Sequence, residues 1–336
     1  LSIRSPFILR RIITISLLLL FVLIVVMLAG VSMGSTKIGL KMLLQSLLGE
    51  KMADTMLDTI VWQIRFPRVL LAGLVGATLS LGGLVFQAIL RNPLAEPYIL
   101  GISGGSAIGA IIGILSGLSR FPGVSLTAFA GSLATLFLLL IMSSGKSLLK
   151  KNTLLLSGVM VNAFCSAIIM FLVSMTYDAR LHNIIFWLMG DLSMCDINQV
   201  GILALMLLPC FIILFCYSHS MNIILMGNEM AQTMGINIRR VTAVLLIVTS
   251  FMVSATVCYC GLLGFVGLVI PHLLRLVFGS DHRILVPASI LGGGSYMIIC
   301  DLLARVLPQQ GEVPVGVVTA MVGAPLFIYL LKRSKQ

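Results

Sequence analysis

An all-α polytopic membrane protein of about ten transmembrane helices is the fold class this sequence predicts, and three observations predict it. Hydrophobic residues make up 59% of the 336 positions and charged residues only 10%, against about a quarter charged in a soluble domain. Apolar runs of membrane length recur from end to end, and about 20 apolar residues cross a bilayer as a helix. The basic residues collect on one side of the topology those runs define. A water-soluble reading fails on the first observation alone.

Taken in order, the runs are 12–33, 69–89, 98–118, 123–145, 153–176, 197–217, 241–260, 261–279, 284–303 and 313–331. The first follows Arg4, Arg10 and Arg11; it is too long for a signal-peptide core and no small-residue cleavage site follows, so it reads as a retained span. The second opens on Arg65-Phe-Pro-Arg68 and ends in the polar turn Arg91-Asn-Pro-Leu-Ala-Glu-Pro97. The third carries Gly101, Gly105, Gly109 and Gly113, about one helical turn apart, so they share a face that lets a neighbour approach closely. Gly261, Gly264, Gly267 and Pro271 blur the seventh and eighth runs and predict a short or interrupted helix facing protein rather than lipid. Gly316, Ala320 and Ala324 form a small-residue ladder in the last. Outside the runs, residues 34–64 include an amphipathic piece, Met42 to Leu57. Residues 178–196 place Ile184, Ile185, Trp187 and Leu188 on an interfacial helix, with Trp187 as its anchor.

Ten spans put both termini on one side, and the positive-inside rule makes that side cytoplasmic. The inner face then holds 14 of the 22 basic residues against 3 acids, so the whole net charge of +11 lies inside. The basic balance is an orientation signal, and no nucleic-acid partner is implied.

Enzyme chemistry lacks its parts. Gly145-Lys146-Ser147 ends like a phosphate loop, but the required first glycine is Leu140, so the chain has no ATPase site of its own. The histidines at 182, 219, 272 and 282 are scattered, and His272 reads as a structural hydrogen bonder. The seven cysteines have no zinc spacing and no metal site is expected. Asp301 is the only acid inside an apolar run, four residues before Arg305, which predicts an ion pair on one helix face. An ion-coupled carrier usually keeps a mid-depth carboxylate or polar cluster. Its lack moves the energy source to a separate ATPase.

Such a partner needs an inner surface. Residues 218–240 are the longest polar inner segment; Gly227 and Gly235 would divide it into two short helices, with Ala231 and Gly235 small enough to pack in a partner's groove. On the outer side stand Arg65, Arg68 and Arg305, against the orientation rule. Arginines can snorkel to headgroups, but guanidinium groups also bind carboxylates bidentately and suit docking of an acidic protein.

Arg65-Phe-Pro-Arg68, Gly82-Gly83, Gln87, Asn92-Pro-Leu-Ala-Glu-Pro97, Gly101-Ile-Ser-Gly-Gly105 and the stretch from Asp301 through Glu312-Val-Pro-Val-Gly316 occur in this order. Together the chain resembles the permease subunits of type II ATP-binding-cassette importers for iron-siderophores, haem and cobalamin. The resemblance implies one permease domain over 1–336, working as a homodimer in a bacterial or archaeal inner membrane. It implies two ATPase subunits, which would carry ATP and magnesium and leave this chain without a cofactor. It also implies a substrate-binding protein whose glutamates meet Arg65, Arg68 and Arg305. The Glu229, Ala231 and Gly235 pattern, with Arg239, would be the coupling segment, and 178–196 an outer gate. An ion-coupled secondary transporter and a polytopic membrane enzyme are the other classes weighed.

Overall fold

The structure, a computed structural model, describes residues 6–34, 55–142, 151–177, 180–193, 195–308 and 311–333. In lipid every backbone polar group must be satisfied within the chain, and helices do this locally. The described residues are correspondingly helical: α1 (Pro6–Ser32), α2 (Phe66–Leu90), α3 (Ile102–Leu115), α4 (Ser125–Met142), α5 (Lys151–Ser174), α6 (Arg180–Met189), α7 (Ile197–Cys216), α8 (Ser218–Leu225), α9 (Asn228–Thr233), α10 (Ile238–Cys260), α11 (Val266–Phe278), α12 (His282–Val306) and α13 (Val315–Arg333). Among the described residues seven helices are long and apolar enough to cross a membrane; Ile102–Leu115, Val266–Phe278 and Val315–Leu330 are shorter apolar helices. Every apolar run read from the sequence falls on one of them.

The bundle is built around α2. Its span window is 83% buried inside the chain, whereas that of α1 is 0% buried, so α2 is the central column and α1 lies on the rim. Small residues make the column possible. Gly76 of α2 and Gly293 of α12 meet back to back, and a side chain on either would strike the other's carbonyl oxygen. Lower down, Gly83 lies against the backbone of Gly267 at the start of α11, and the Gln87 amide donates to the Gly267 carbonyl at 3.1 Å. Phe21, Met170 and Leu205 point outward from α1, α5 and α7.

The third apolar run departs from expectation. Pro97–Leu100 is a single 3-10 turn, Gly101 takes a left-handed φ of 77°, and the α-helix begins only at Ile102. Gly105, Gly109 and Gly113 do share a face, packing on Gly131, Thr127 and Thr135 of α4. Gly101 does not belong to that ladder: it is the break itself, and it faces Val161 of α5. The interruption expected near Gly261 is present. After α10, residues 261–264 are non-helical, and Phe265 sits at φ 68° before α11 starts.

α6 is not a free interfacial helix. Ile184 is fully buried and Trp187 is 8% exposed, with the Trp187 carbonyl against Gly261, so Trp187 is a core residue rather than a lipid anchor. Most of the amphipathic piece Met42–Leu57 and all of Gly145–Ser147 lie outside the described residues.

Candidate transport and coupling sites

At the end of the bundle that charge assigns to the outer side, three elements converge. The α2 start supplies Arg65 and Arg68, the α12 end supplies Asp301 and Arg305, and the loop before α13 supplies Glu312. The sequence placed the three arginines on one side, and the structure brings Arg68 and Arg305 onto one carboxylate, with Arg65 lining the same recess. Arg68 Nε donates to Asp301 Oδ1 at 2.8 Å and its Nη1 to Glu312 Oε2 at 2.6 Å. Arg305 Nε lies 3.1 Å from Asp301 Oδ2, the i,i+4 pair expected. Its Nη2 donates to the Gly30 carbonyl at 3.1 Å. Arg65 donates to the carbonyls of Val31 and Ser32 at 3.1 and 3.2 Å.

The three arginine side chains are not held free at the surface. Arg65 and Arg68 are each 4% exposed, and the side chain of Arg305 is 6% exposed. Desolvated guanidiniums must be neutralised and hydrogen-bonded where they sit, and here the chain's own acids and carbonyls do so. A recess of about 240 Å3 opens over them, lined by Arg65, Arg68, Arg305 and Glu312. Glu312 is the exposed one among its charged side chains, at 48%.

A second site forms where the two broken elements meet. Glu96 Oε1 accepts from the Phe265 amide at 2.9 Å, and the Tyr98 hydroxyl accepts from the Leu263 amide at 3.0 Å. These two side chains cap the start of α11. The 13 residues of α11, rising about 1.5 Å each, put that point roughly 20 Å from its inner end. Glu96 thus lies at depth in the bundle.

Nearer the outer surface, Arg120 Nη1 donates to Asp191 Oδ2 at 2.9 Å, and the Asp191 amide donates to the Cys260 carbonyl at 2.9 Å. Burial alone would raise the Asp191 carboxyl. The Arg120 charge and hydrogen bonds from Ser193 outweigh it and hold the group below its ordinary value. Alongside lies a cavity of about 580 Å3, lined in part by Arg120, Arg180, His182 and Trp187. The segment 178–196, expected to be an outer gate, contributes residues to this cavity; 178, 179 and 194 lie outside the described residues.

The inner segment divides as its glycines predict. α8 ends before Gly227, at φ 126°, and α9 ends before Gly235, at φ 77°. Glu229 and Arg239 are exposed. Ala231 is not available to a partner: it is fully buried among Ile223, Ile236 and Ile238 of its own chain. Gly235 is surrounded by open space, so its left-handed backbone, not its small size, is what the turn uses. Exposed methionines 226, 230 and 234 form the outward apolar surface.

Asn222 of α8 was not singled out from sequence. Its Nδ2 donates to Asp281 Oδ1 at 2.7 Å, and its Oδ1 accepts from the His282 amide at 2.9 Å. Burial would raise the Asp281 carboxyl, but hydrogen bonds from Arg283 and Asn222 hold it down to about 2. His272, expected to hydrogen-bond, has neither ring nitrogen partnered among the described residues; it packs edge-on against Phe327, with centroids 6.1 Å apart.

A membrane bundle with a polar, helical inner segment and a charged outer recess has the architecture of a transport permease, the membrane subunit of an ATP-binding-cassette importer. The model of the FecCD transport family matches residues 20–333, and the chain belongs to that family. Among curated relatives, the protein named vitamin B12 import system permease protein BtuC from Salmonella arizonae is 39% identical over 277 residues, covering 82% of this chain and 84% of that one. The protein of the same name from Citrobacter koseri is 38% identical over 279 residues, covering 83% and 84%. Among solved structures, a metal-chelate type ABC transporter in an inward-facing conformation superposes with a TM-score of 0.85 at 30% identity, over 95% of this chain and 99% of that one. PsaBC from Streptococcus pneumoniae shares the fold at a TM-score of 0.56 and 13% identity.

Proposed function

We propose that this permease imports a bulky metal chelate, with cobalamin the first candidate, and that the whole chain 1–336 acts as one domain of ten crossings with both termini cytoplasmic. Two copies form the pathway between them, and two separate ATPase subunits bind Glu229, Gly235 and Arg239. ATP binding draws the ATPases together, the inner segment passes the motion into the bundle, and the pathway alternates between outward and inward openings. Residues 178–196 gate its outer end. A substrate-binding protein delivers the chelate and docks over Arg65, Arg68 and Arg305. Three guanidiniums against the carboxylates of Asp301 and Glu312 leave one positive charge for an incoming carboxylate.

The observation that carries this reading is the inner segment. α8 is seated in the bundle through Met221 and Ile224, while Glu229 and Met230 of α9 and Met234 just after it are exposed to a partner. The cobalamin assignment rests on the relatives' names. Gentle purification followed by an ATPase assay tests it: an ATPase should accompany the chain, and cobalamin with its binding protein should stimulate hydrolysis. Glu96 is the one feature that favours an ion-coupled carrier, being a carboxylate at depth. Uptake that survives ATP depletion and collapses with an uncoupler would select that reading instead.

A further inference from the structure

Force applied to the inner segment has to reach the outer recess, and one side chain stands where it enters the bundle. α9 is joined to α8 through Gly227. Among the described residues, the side-chain hydrogen bonds from α8 to the rest of the bundle run through Asn222. Its amide is used on both sides. It donates to the Asp281 carboxylate, which also receives Arg283 at 2.7 Å, and it accepts from the first backbone amide of α12. The carboxamide carries its donor and its acceptor on two separate atoms of one short stem, which lets it face both partners at once.

α12 continues that contact across the protein. Its 25 residues at 1.5 Å rise give about 37 Å of helix. Along the way it is locked to α2 where Gly76 meets Gly293, a contact with no side chain left to rearrange. At the far end Asp301 of α12 holds Arg68 of α2 and Arg305. The α2–α12 pair is therefore locked at Gly76–Gly293 and again at the Arg68–Asp301 ion pair, with Pro287 on the stretch between the Asn222 contact and the first lock. Asn222 lies at its inner end and the arginine recess at its outer end.

We infer that Asn222 is the positioning residue through which ATPase movement at the inner segment is transmitted along α12 to the arginine recess. The inference rests on the importer reading and adds to it the joint and the route. Asn222 acts by holding the α12 start to α8; it touches neither ATP nor chelate.

The test uses the full chain in its native complex with its ATPase, in nanodiscs, and reads hydrogen exchange at residues 300–307 before and after addition of MgATP. The parent should change exchange at this outer end when nucleotide binds. Asn222→Ala should cut that response by about tenfold, the scale set by losing a charge-assisted hydrogen bond, with exchange over α3 and α4 unchanged as evidence of intact folding. Asn222→Asp should also fail, because it faces Asp281 with a second carboxylate. The exchanged pair Asn222→Asp with Asp281→Asn should recover the response, since donor and acceptor have traded places. An Asn222→Ala response equal to the parent's would overturn the inference, as would a loss that the exchanged pair leaves unrepaired. A parent complex that ignores MgATP would refute the importer reading itself, and the two failures are told apart by the parent's behaviour.

Discussion

Removing the Asp301 carboxylate should unsettle the outer end of the bundle more than any other single charge change there. Asp301 is fully buried between two guanidiniums that are themselves 5% and 6% exposed. In Asp301→Ala both lose a partner. Arg68 keeps Glu312, and Arg305 keeps the Gly30 carbonyl but no acid. Deleting one partner of a buried ion pair costs about 3–5 kcal/mol, and with two arginines affected the upper half of that range applies. Unfolding entropy of about 2.1 cal/mol/K per residue over 336 residues converts this to a fall in melting temperature of about 6–7 °C. Helices that persist in the membrane lower the unfolding entropy, so about 6 °C is a floor. Thermal unfolding of the purified chain in nanodiscs measures it. Glu312→Gln is the internal control: its carboxylate is 48% exposed, and a pair open to solvent contributes less than about 1 kcal/mol. If Asp301→Ala melts with the parent, or if Glu312→Gln is the worse variant, the cluster is not held in the way described.

Three further perturbations test other parts of the molecule. Gly109→Ala places a methyl group on the Thr127 carbonyl and should cost about 1–3 kcal/mol by overpacking. Gly201→Ala, in open space on α7, should be neutral or slightly stabilising in the same melting assay. At Gly235, Gly→Asn should be tolerated, whereas Gly→Val should cost about 1–2 kcal/mol of left-handed strain and lower chelate uptake per ATP hydrolysed; equal behaviour of the two would refute a conformational role. Asp281 titrates at about 2 in the folded chain, below the ordinary carboxylate value of about 3.9. Its contribution to stability is therefore complete above about pH 4 and lost as pH falls toward 2. The melting difference between parent and Asp281→Asn should be constant at neutral pH and shrink across that acid window.

Features set by local spacing were legible in the sequence. Apolar run length located the long helices, the four-residue interval paired Asp301 with Arg305, and the glycines at 227 and 235 divided the inner segment. What escaped was set by distant partners. Arg68 meets Asp301 across 233 positions and Glu96 meets Phe265 across 169, and no periodicity encodes either contact. The same limit explains the corrections. An arginine at a span end reads alike whether it faces a docking partner or an internal acid. Ala231 reads alike whether its small side chain suits a neighbour or its own core. Trp187 reads as an interfacial anchor from its neighbours, but the tight turn at Gly261 closes over it. Asn222 carried no signal at all, because a single amide in a polar segment has no pattern around it.

The half-length helices also bear on how the chain enters the membrane during synthesis. α3 and α11, at 14 and 13 residues, extend only about 20 Å at 1.5 Å per residue, against about 30 Å of hydrocarbon. α11 cannot be released into lipid singly, because the non-helical backbone of residues 261–265 would have to shed its water with nothing to replace it. The replacement comes from far back along the chain: Glu96 and Tyr98 serve the amides at 265 and 263. These two polar side chains are made more than 160 residues before the amides they accept from, and the nascent protein must keep them sheltered until α11 is synthesised.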